Sequence, residues 1–544
     1  MPIDLKDSPE TNDVKVNSSF PRKRPRDGSD NAALTIQPLN DLTVGLAPEI
    51  VERLRLQHAT DKGYVERLMT AMKTPVAKTI CRVNLIESTR GEVLKELQKM
   101  LSSSMPNLEI RESSLFPDVI EIEEAQLTMK NNSPRSSNLS SCTKPRSDDD
   151  ASLPTSLFSS WPMRQEKGWP MTHRAILCDR FCGEAVLRGS DIFVRGILAA
   201  DSGIKAGEKV AVYADIPRTC DGGAAPKKIA RGLILDNYNG NCVFLGMGTM
   251  ACSRSEVFSQ SNGLAVSMSL DPTERVGPVL PPLSNVLVKK IMLQNLPSIL
   301  VAHALNPQPG DVILDMCSAP GGKTAHLASL VKNQALIVAC DRSRKKMIEA
   351  WIFFKSLGAS CVTPLALDST RCVSIDPSNV KSVKEVIEQA KTNPDDGLKN
   401  VKSFSPESFD KILLDPPCSA LGLRPKLVVA QQSLREVDKH ASYQRKFVAQ
   451  AVQLLKPGGI MTYSTCTMNN SENEMVVKHI LIEYPCMDLI SLGLTEEMEA
   501  SFGRPGLKGF GLTEEQRLLV RRFDPGDAEQ ETMGFFVARF RKRL

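Results

Sequence analysis

The chain has 544 residues, with 68 lysines and arginines against 63 aspartates and glutamates for a net charge of +5. That length predicts about two to four domains, and the nearly balanced charge suits a weakly basic protein that tolerates nucleic acid without requiring it. No apolar stretch is long enough to span a membrane, no apolar signal core follows Met1, and the 14 cysteines contain no C-x-x-C pair, so reduced thiols in an intracellular, membrane-free protein are expected. The six histidines lack ligand spacing to the cysteines, and no metal site is expected.

Residues 1–40 are rich in Ser, Asp, Asn and Pro and read as a disordered tail. The basic cluster Arg22, Lys23, Arg24 and Arg26 is either a solvated tail, a loose RNA contact or a nuclear address in an otherwise cytoplasmic protein. From 41 to 125 the pattern is that of a small α/β unit. Ile50, Val51, Leu54 and Leu56, then Val65, Leu68 and Met69, suit amphipathic helices, followed by a strand over 80–85 and a helix over 91–101. Residues 126–170 have linker composition.

Residues 171–270 form a β-rich block with frequent glycines and short strands expected over 175–178, 193–194, 209–213, 242–246 and 265–268. Its phrases CGEAVLRGSDIFVRGI and KAGEKVAVYADI resemble the pseudouridine synthase and archaeosine transglycosylase (PUA) domain, a small β-barrel that binds RNA. In that family the phrase matching 185–192 marks the helix and strand beside the RNA groove. The resemblance implies Arg188, Arg195, Lys227 and Lys228 as phosphate or base contacts, with ordinary surface charge as the competing reading for each.

Residues 271–544 alternate apolar runs with amphipathic helices, the pattern of a parallel sheet covered on both faces. The stretch VILDMCSAPGGKT, 312–324, reads as a buried strand, a tight loop whose Ser318, Ala319, Gly321 and Gly322 leave the backbone open to a ligand, and a helix from about Lys323. A phosphate-binding P-loop needs a glycine where Cys317 stands, and a dinucleotide fingerprint needs more than the pair Gly321 and Gly322, so both are excluded. Further strands are expected over 335–340, ending at Asp341, over 361–367, tipped by Asp368, over 411–415, over 460–464 after a helix at 443–455, and over 534–539 in antiparallel sense. Asp341, Asp368 and Asp415 then share the sheet edge of the glycine loop, where ligands bind in open α/β sheets. Strands four and five are expected to adjoin strand one and to bring Cys418 of DPPCSALG and Cys466 of YSTCTMNNSENE to the same crevice.

CSAPGGKT, DPPCS and YSTCT in this order, linked by QRKFVAQAVQLLKPGG, resemble the NOL/NOP/Sun family of S-adenosylmethionine-dependent RNA cytosine-5 methyltransferases. The resemblance implies a class I, Rossmann-like methyltransferase fold with an inserted β-barrel PUA-like domain and a small N-terminal α/β unit. The PUA-like insertion and the ending FDP...GFFVARF are similar to members that modify the acceptor end of tRNA, so tRNA near its CCA end is the implied partner of an enzyme expected to act as a monomer. The alternatives are a ribosomal or messenger RNA substrate, methylation of an exocyclic amine, and an RNA-binding protein with an inactive fold.

Cytosine C5 is a poor nucleophile, and addition of a thiolate to C6 makes it enamine-like. By the resemblance, Cys466 is that nucleophile, Cys418 the thiol that assists release, Asp415 the partner of the cytosine edge, and Lys323 a member of the catalytic set. S-adenosyl-L-methionine would be lined by Cys317, Ser318, Ala319, Pro320, Gly321, Gly322 and Lys323, with Asp341 on the ribose, Asp368 on the adenine amine and Asp415 beside them. Pro416 stands where the family often has Ala.

Overall fold

A computed structural model describes residues 35–37, 46–124, 173–216, 229–276, 281, 283 and 286–544, apart from breaks at 104, 375, 377–381, 393–400, 428–431 and 528–530. The basic cluster at 22–26, the 126–170 stretch, and Lys227 and Lys228 lie outside the described residues. Three sheets organise the rest.

The first sheet is antiparallel and runs Leu108–Glu112, Val119–Glu124, Thr79–Val83, Ile291–Leu293. Helix Arg90–Leu101 covers it with Val93, Leu97 and Leu101, and starts where Thr89 and Glu92 form a reciprocal capping box. Its last strand comes from 291–293, inside the stretch expected to belong to the parallel sheet, so the N-terminal unit is completed from the far side of the β-rich block.

The β-rich unit orders its strands Ile192–Phe193, Leu264–Met268, Asn241–Met250, Lys209–Ile216, Arg174–Cys178, Ile197–Ala200 and Leu233–Ile234. Thr35–Gln37, within the expected tail, pairs in parallel with residues 241–243. One helix, Arg180–Leu187, opens on Asp179, whose side chain accepts from the Cys182 N–H.

The third sheet contains β1 (Val312–Asp315), β2 (Leu336–Asp341), β3 (Val362–Ala366), β4 (Phe409–Leu414), β5 (Leu455–Thr465), β6 (Met487–Ile490), β7 (Arg521–Phe523) and β8 (Phe535–Lys542). The order is β3-β2-β1-β4-β5-β8-β6, parallel except for β8, with β7 paired to β8. Strand β5 therefore lies beside β4 and is separated from β1 by it, contrary to the expectation that both adjoin β1. Helices α1 (Gly322–Leu330), α2 (Arg344–Ser356), α3 (Leu434–Leu454) and α4 (Glu474–Glu483) follow β1, β2, β4 and β5. The sheet is apolar on both faces, with Ile313, Val338, Ile412 and Phe540 fully buried, each such side chain contributing about 1.5–3 kcal/mol.

The three units meet at the loop that leaves β4. Arg424 donates to the Thr74 and Pro75 carbonyls at 3.1 Å each, and the Lys426 N–H to the Met72 carbonyl at 2.7 Å. Leu427 is fully buried in the core of the β-rich unit, and its N–H donates to Glu184 at 3.2 Å. A second junction centres on Asp118 of the N-terminal unit, fully buried, whose two oxygens each lie 2.8 Å from an imidazole Nε2, of His303 and of His326 in α1. These three donor groups gather within 4.8 Å and are of metal-binding types, which no spacing in the sequence signals. Each imidazole already has a hydrogen bond to the carboxylate, and the fully buried Arg82 places a cation beside them, so the cluster reads as a packed joint.

Candidate active site

The loop after β1 is tied to the helix it feeds. Asp315 accepts from the Thr324 hydroxyl at 2.6 Å and from the Cys317 N–H at 3.2 Å, while Ser318 Oγ lies 2.6 Å from Thr324 Oγ1. Burial pushes the Asp315 carboxyl up to about 7. The Ser318 N–H donates to the Cys340 carbonyl at 2.8 Å, and burial drives the Cys317 thiol well above its ordinary range, so both side chains serve the interior of the loop. The peptide between Ala319 and Pro320 is cis. Gly321 has φ +111°, where side chains are strained, and a Cβ there would stand 2.6 Å from the Phe354 ring; at Gly322 it would stand 2.9 Å from Met292 Cε. The glycines are thus required by neighbouring side chains as well as by any ligand that approaches the backbone.

Two carboxylates flank this loop at the strand ends. Asp341, at the end of β2, is oriented by the Ser343 N–H at 2.9 Å. Asp368 accepts the Thr370 N–H and hydroxyl at 3.1 and 2.7 Å and Arg371 at 3.2 Å; burial opposes its charge, but these donors outweigh it and hold the carboxyl below the usual range.

On the other side of the loop, β4 and β5 end beside the start of α1. Lys323 Nζ donates to Asp415 at 2.6 Å, and Ser464 Oγ donates to the other oxygen of Asp415 at 2.6 Å. Burial works against the lysine's charge, but Asp415 outweighs it and raises the pKa. The ammonium also lies 5.3 Å from the Phe535 ring centroid. Cys418 Sγ and Cys466 Sγ are 3.2 Å apart. The hydrogen bond shared with Cys418 lowers the Cys466 thiol, helped by Lys323 and Lys426 against burial and Asp415, whereas that bond and burial raise Cys418. The result is a pair of unequal thiols, Cys466 held below and Cys418 above the ordinary range, next to a lysine and carboxylate.

A family profile described as 16S rRNA methyltransferase RsmB/F matches residues 302–541. Over 506 residues the chain is 33% identical to the Mus musculus tRNA (cytosine(72)-C(5))-methyltransferase NSUN6, spanning 88% of this chain and 90% of that protein. The chain belongs to the NOL/NOP/Sun family of RNA cytosine-C5 methyltransferases. It is also 32% identical over 575 residues to the Arabidopsis thaliana rRNA (cytosine-C(5))-methyltransferase NOP2C, across 91% of this chain and 90% of that one. The crystal structure of NSun6 from Pyrococcus horikoshii with SFG has TM-score 0.58 and 26% identity to it, covering 92% of this chain and 99% of that one. The parallel sheet of this NOL/NOP/Sun chain is accordingly a mixed α/β, Rossmann-like methyltransferase fold.

In this family member two supports of the thiols escaped sequence reasoning. The first is Glu472, fully buried, whose carboxylate accepts from the Ser419 N–H and hydroxyl at 2.9 and 2.5 Å, from Gln444 at 2.9 Å and from Asn469 at 3.1 Å. It fastens the loop bearing Cys418 to the segment after Cys466, and the polar run NNSENE directly after an apolar strand was its visible signal. The second is Lys426, whose Nζ donates to the Ala420 carbonyl at 2.7 Å. Of the proposed RNA contacts, Arg188 and Arg195 are exposed on the β-rich unit, Arg188 facing Glu184, whose carboxylate also accepts the Leu427 N–H, and Arg195 with its Nε donating to the Ser261 carbonyl at 2.6 Å. Among the described residues no helix is long and apolar enough to cross a membrane.

Proposed function

We propose that this chain methylates cytosine C5 in tRNA near the acceptor end, with S-adenosylmethionine as methyl donor and Cys466 as the covalent nucleophile. The observation that carries this reading is the unequal thiol pair, 3.2 Å apart, beside the Lys323 and Asp415 pair. The donor set suits the cofactor: the backbone from Ala319 to Lys323 opens on one side of α1, and Asp341 and Asp368 offer carboxylates at the neighbouring strand ends to hydroxyl and amine groups. S-adenosylmethionine supplies an electrophilic methyl group when bound.

The protein's own groups do the remaining work. Cys466 forms a bond to C6, which sends electron density to C5. Asp415 takes the cytosine edge and, with Lys323, stabilises charge on the ring as the adduct forms. After methylation the C5 proton leaves toward the side of Cys418, and the C6–S bond breaks to regenerate the Cys466 thiolate. The target base must leave its stack to reach both thiols, and a frayed acceptor end makes that inexpensive. The β-rich unit, PUA-like in its sequence phrases, would hold the RNA with Arg188, Arg195, Lys227 and Lys228. The enzyme is read as acting as a monomer.

Cys466→Ala is expected to abolish methyl transfer, and Cys418→Ala to accumulate a denaturant-resistant protein–RNA adduct on gels. Unimpaired turnover in both variants without an adduct would overturn the assignment. A second reading, ribosomal RNA as substrate, is favoured by the likeness to the Arabidopsis protein across nearly the whole chain. Bisulfite mapping of tRNA and rRNA with and without the protein separates the two.

A further inference from the structure

We propose that Lys426 is a positioning residue, which pins the Ala420 peptide beside the thiols and provides a second cation, in addition to Lys323, that favours the thiolate of Cys466. The inference rests on the reading of Cys466 as nucleophile. Ala420 lies two residues beyond Cys418 and has φ +54°, a conformation seldom adopted by alanine and held here because its carbonyl receives the Lys426 ammonium at 2.7 Å. The ammonium has little freedom to withdraw. The backbone N–H of Lys426 is bound to the Met72 carbonyl, Arg424 two residues before it is fixed to Thr74 and Pro75, and the following Leu427 is buried in the β-rich core. Three units therefore converge to hold one cation near the reacting sulfurs.

The charged and titratable groups around the pair can be named. Cys466 faces Cys418, Asp415, Lys323 and Lys426; Lys426 faces Glu184, Arg180, Cys418 and Cys466. One carboxylate opposes the Cys466 thiolate directly, and Lys323 is already committed to it at 2.6 Å. Burial works against the charge of Lys426 and lowers its pKa, Glu184 opposes that, and its Nζ donates to the Ala420 carbonyl rather than to a carboxylate. A tight Lys323 and Asp415 pair is partly self-cancelling as seen from the sulfur, and Lys426 adds a second positive charge that acts in the same direction as Lys323.

The test uses the full chain and iodoacetamide, with peptide mapping to separate Cys466 from Cys418, across pH 6 to 10. Lys426→Met is expected to move the alkylation midpoint of Cys466 up by about one pH unit, roughly a tenfold slower reaction at neutral pH, and Lys426→Arg to restore it. An unchanged midpoint in Lys426→Met overturns the proposal, as does an equal shift in Lys426→Arg, which would reduce the ammonium to a strut. Should Lys426→Met fold poorly, Lys426→Gln gives the same reading. Alkylation needs no RNA, so the predicted shift together with full methyl transfer by Cys466→Ala supports the effect of Lys426 on the thiol and strikes the functional reading alone.

Discussion

Cys466 owes its character to its neighbours. Burial drives a thiol up in pKa, as it does Cys340 here, and the hydrogen bond shared with Cys418 and the two lysines reverse that trend at Cys466. The geometry of the pair depends in turn on Glu472, which carries four donors in a fully buried setting. Glu472→Ala strands those donors and is expected to lower stability by about 2–4 kcal/mol and to slow methyl transfer sharply, both measurable by urea unfolding and steady-state assay. The two cysteines were legible in the sequence because each directly follows an apolar strand. Lys426 was not, since it becomes a neighbour of the thiols only through the left-handed turn at Ala420, which an alanine in the sequence does not announce.

The loop from Ala420 to Leu427 is built to a tolerance that one methyl group exceeds. The Gly422 N–H donates to the Cys466 carbonyl at 3.0 Å, its carbonyl accepts from Gly534 at 2.7 Å, and a Cβ at Gly422 would lie 2.3 Å from the Gly534 carbonyl oxygen. Gly422→Ala must part this loop from the start of β8. The expected outcome is at least a tenfold loss of kcat with a smaller change in KM for RNA, and a lower melting temperature in scanning calorimetry. The strands of the parallel sheet could be read from their apolar runs, but their limits could not. β5 starts at Leu455 because Lys456 to Gly459 continue the strand across a register shift, although Pro and two glycines read as a turn. Helix α3 starts at Leu434, on a Ser433 and Glu436 capping box, through the charged stretch LREVDKHAS whose apolar period is faint. Ile291–Leu293 is three residues long, too short for any period, and is a strand only because the Thr79–Val83 edge awaits it.

At the scale of the molecule, the joint at Asp118 predicts how the units respond to acid. Burial opposes the charge on Asp118, but the imidazoles outweigh it and hold the carboxyl below its usual range; burial, then Arg82, hold His326 at about 3. An unfolded histidine takes a proton below about 6.5, and the folded one refuses it until about 3, so stability present at neutral pH is lost as pH falls through that window, with Asp118 adding its share below about 4. Urea midpoints measured from pH 7.5 to 4.5 should fall, and His326→Gln should flatten the fall. A second prediction concerns Leu427, fully buried in the β-rich core: Leu427→Ala is expected to cost about 2–5 kcal/mol in chemical unfolding and to raise KM for RNA. The Rossmann-like α/β character of the parallel sheet could be read before the structure was known, whereas this interlocking could not, because it rests on contacts between residues more than two hundred positions apart. The anchored loop also has a geometric meaning. The β-rich unit cannot drift relative to Cys418 without extracting Leu427, so on the proposed reading the span from an RNA end held there to the thiol would behave as a caliper.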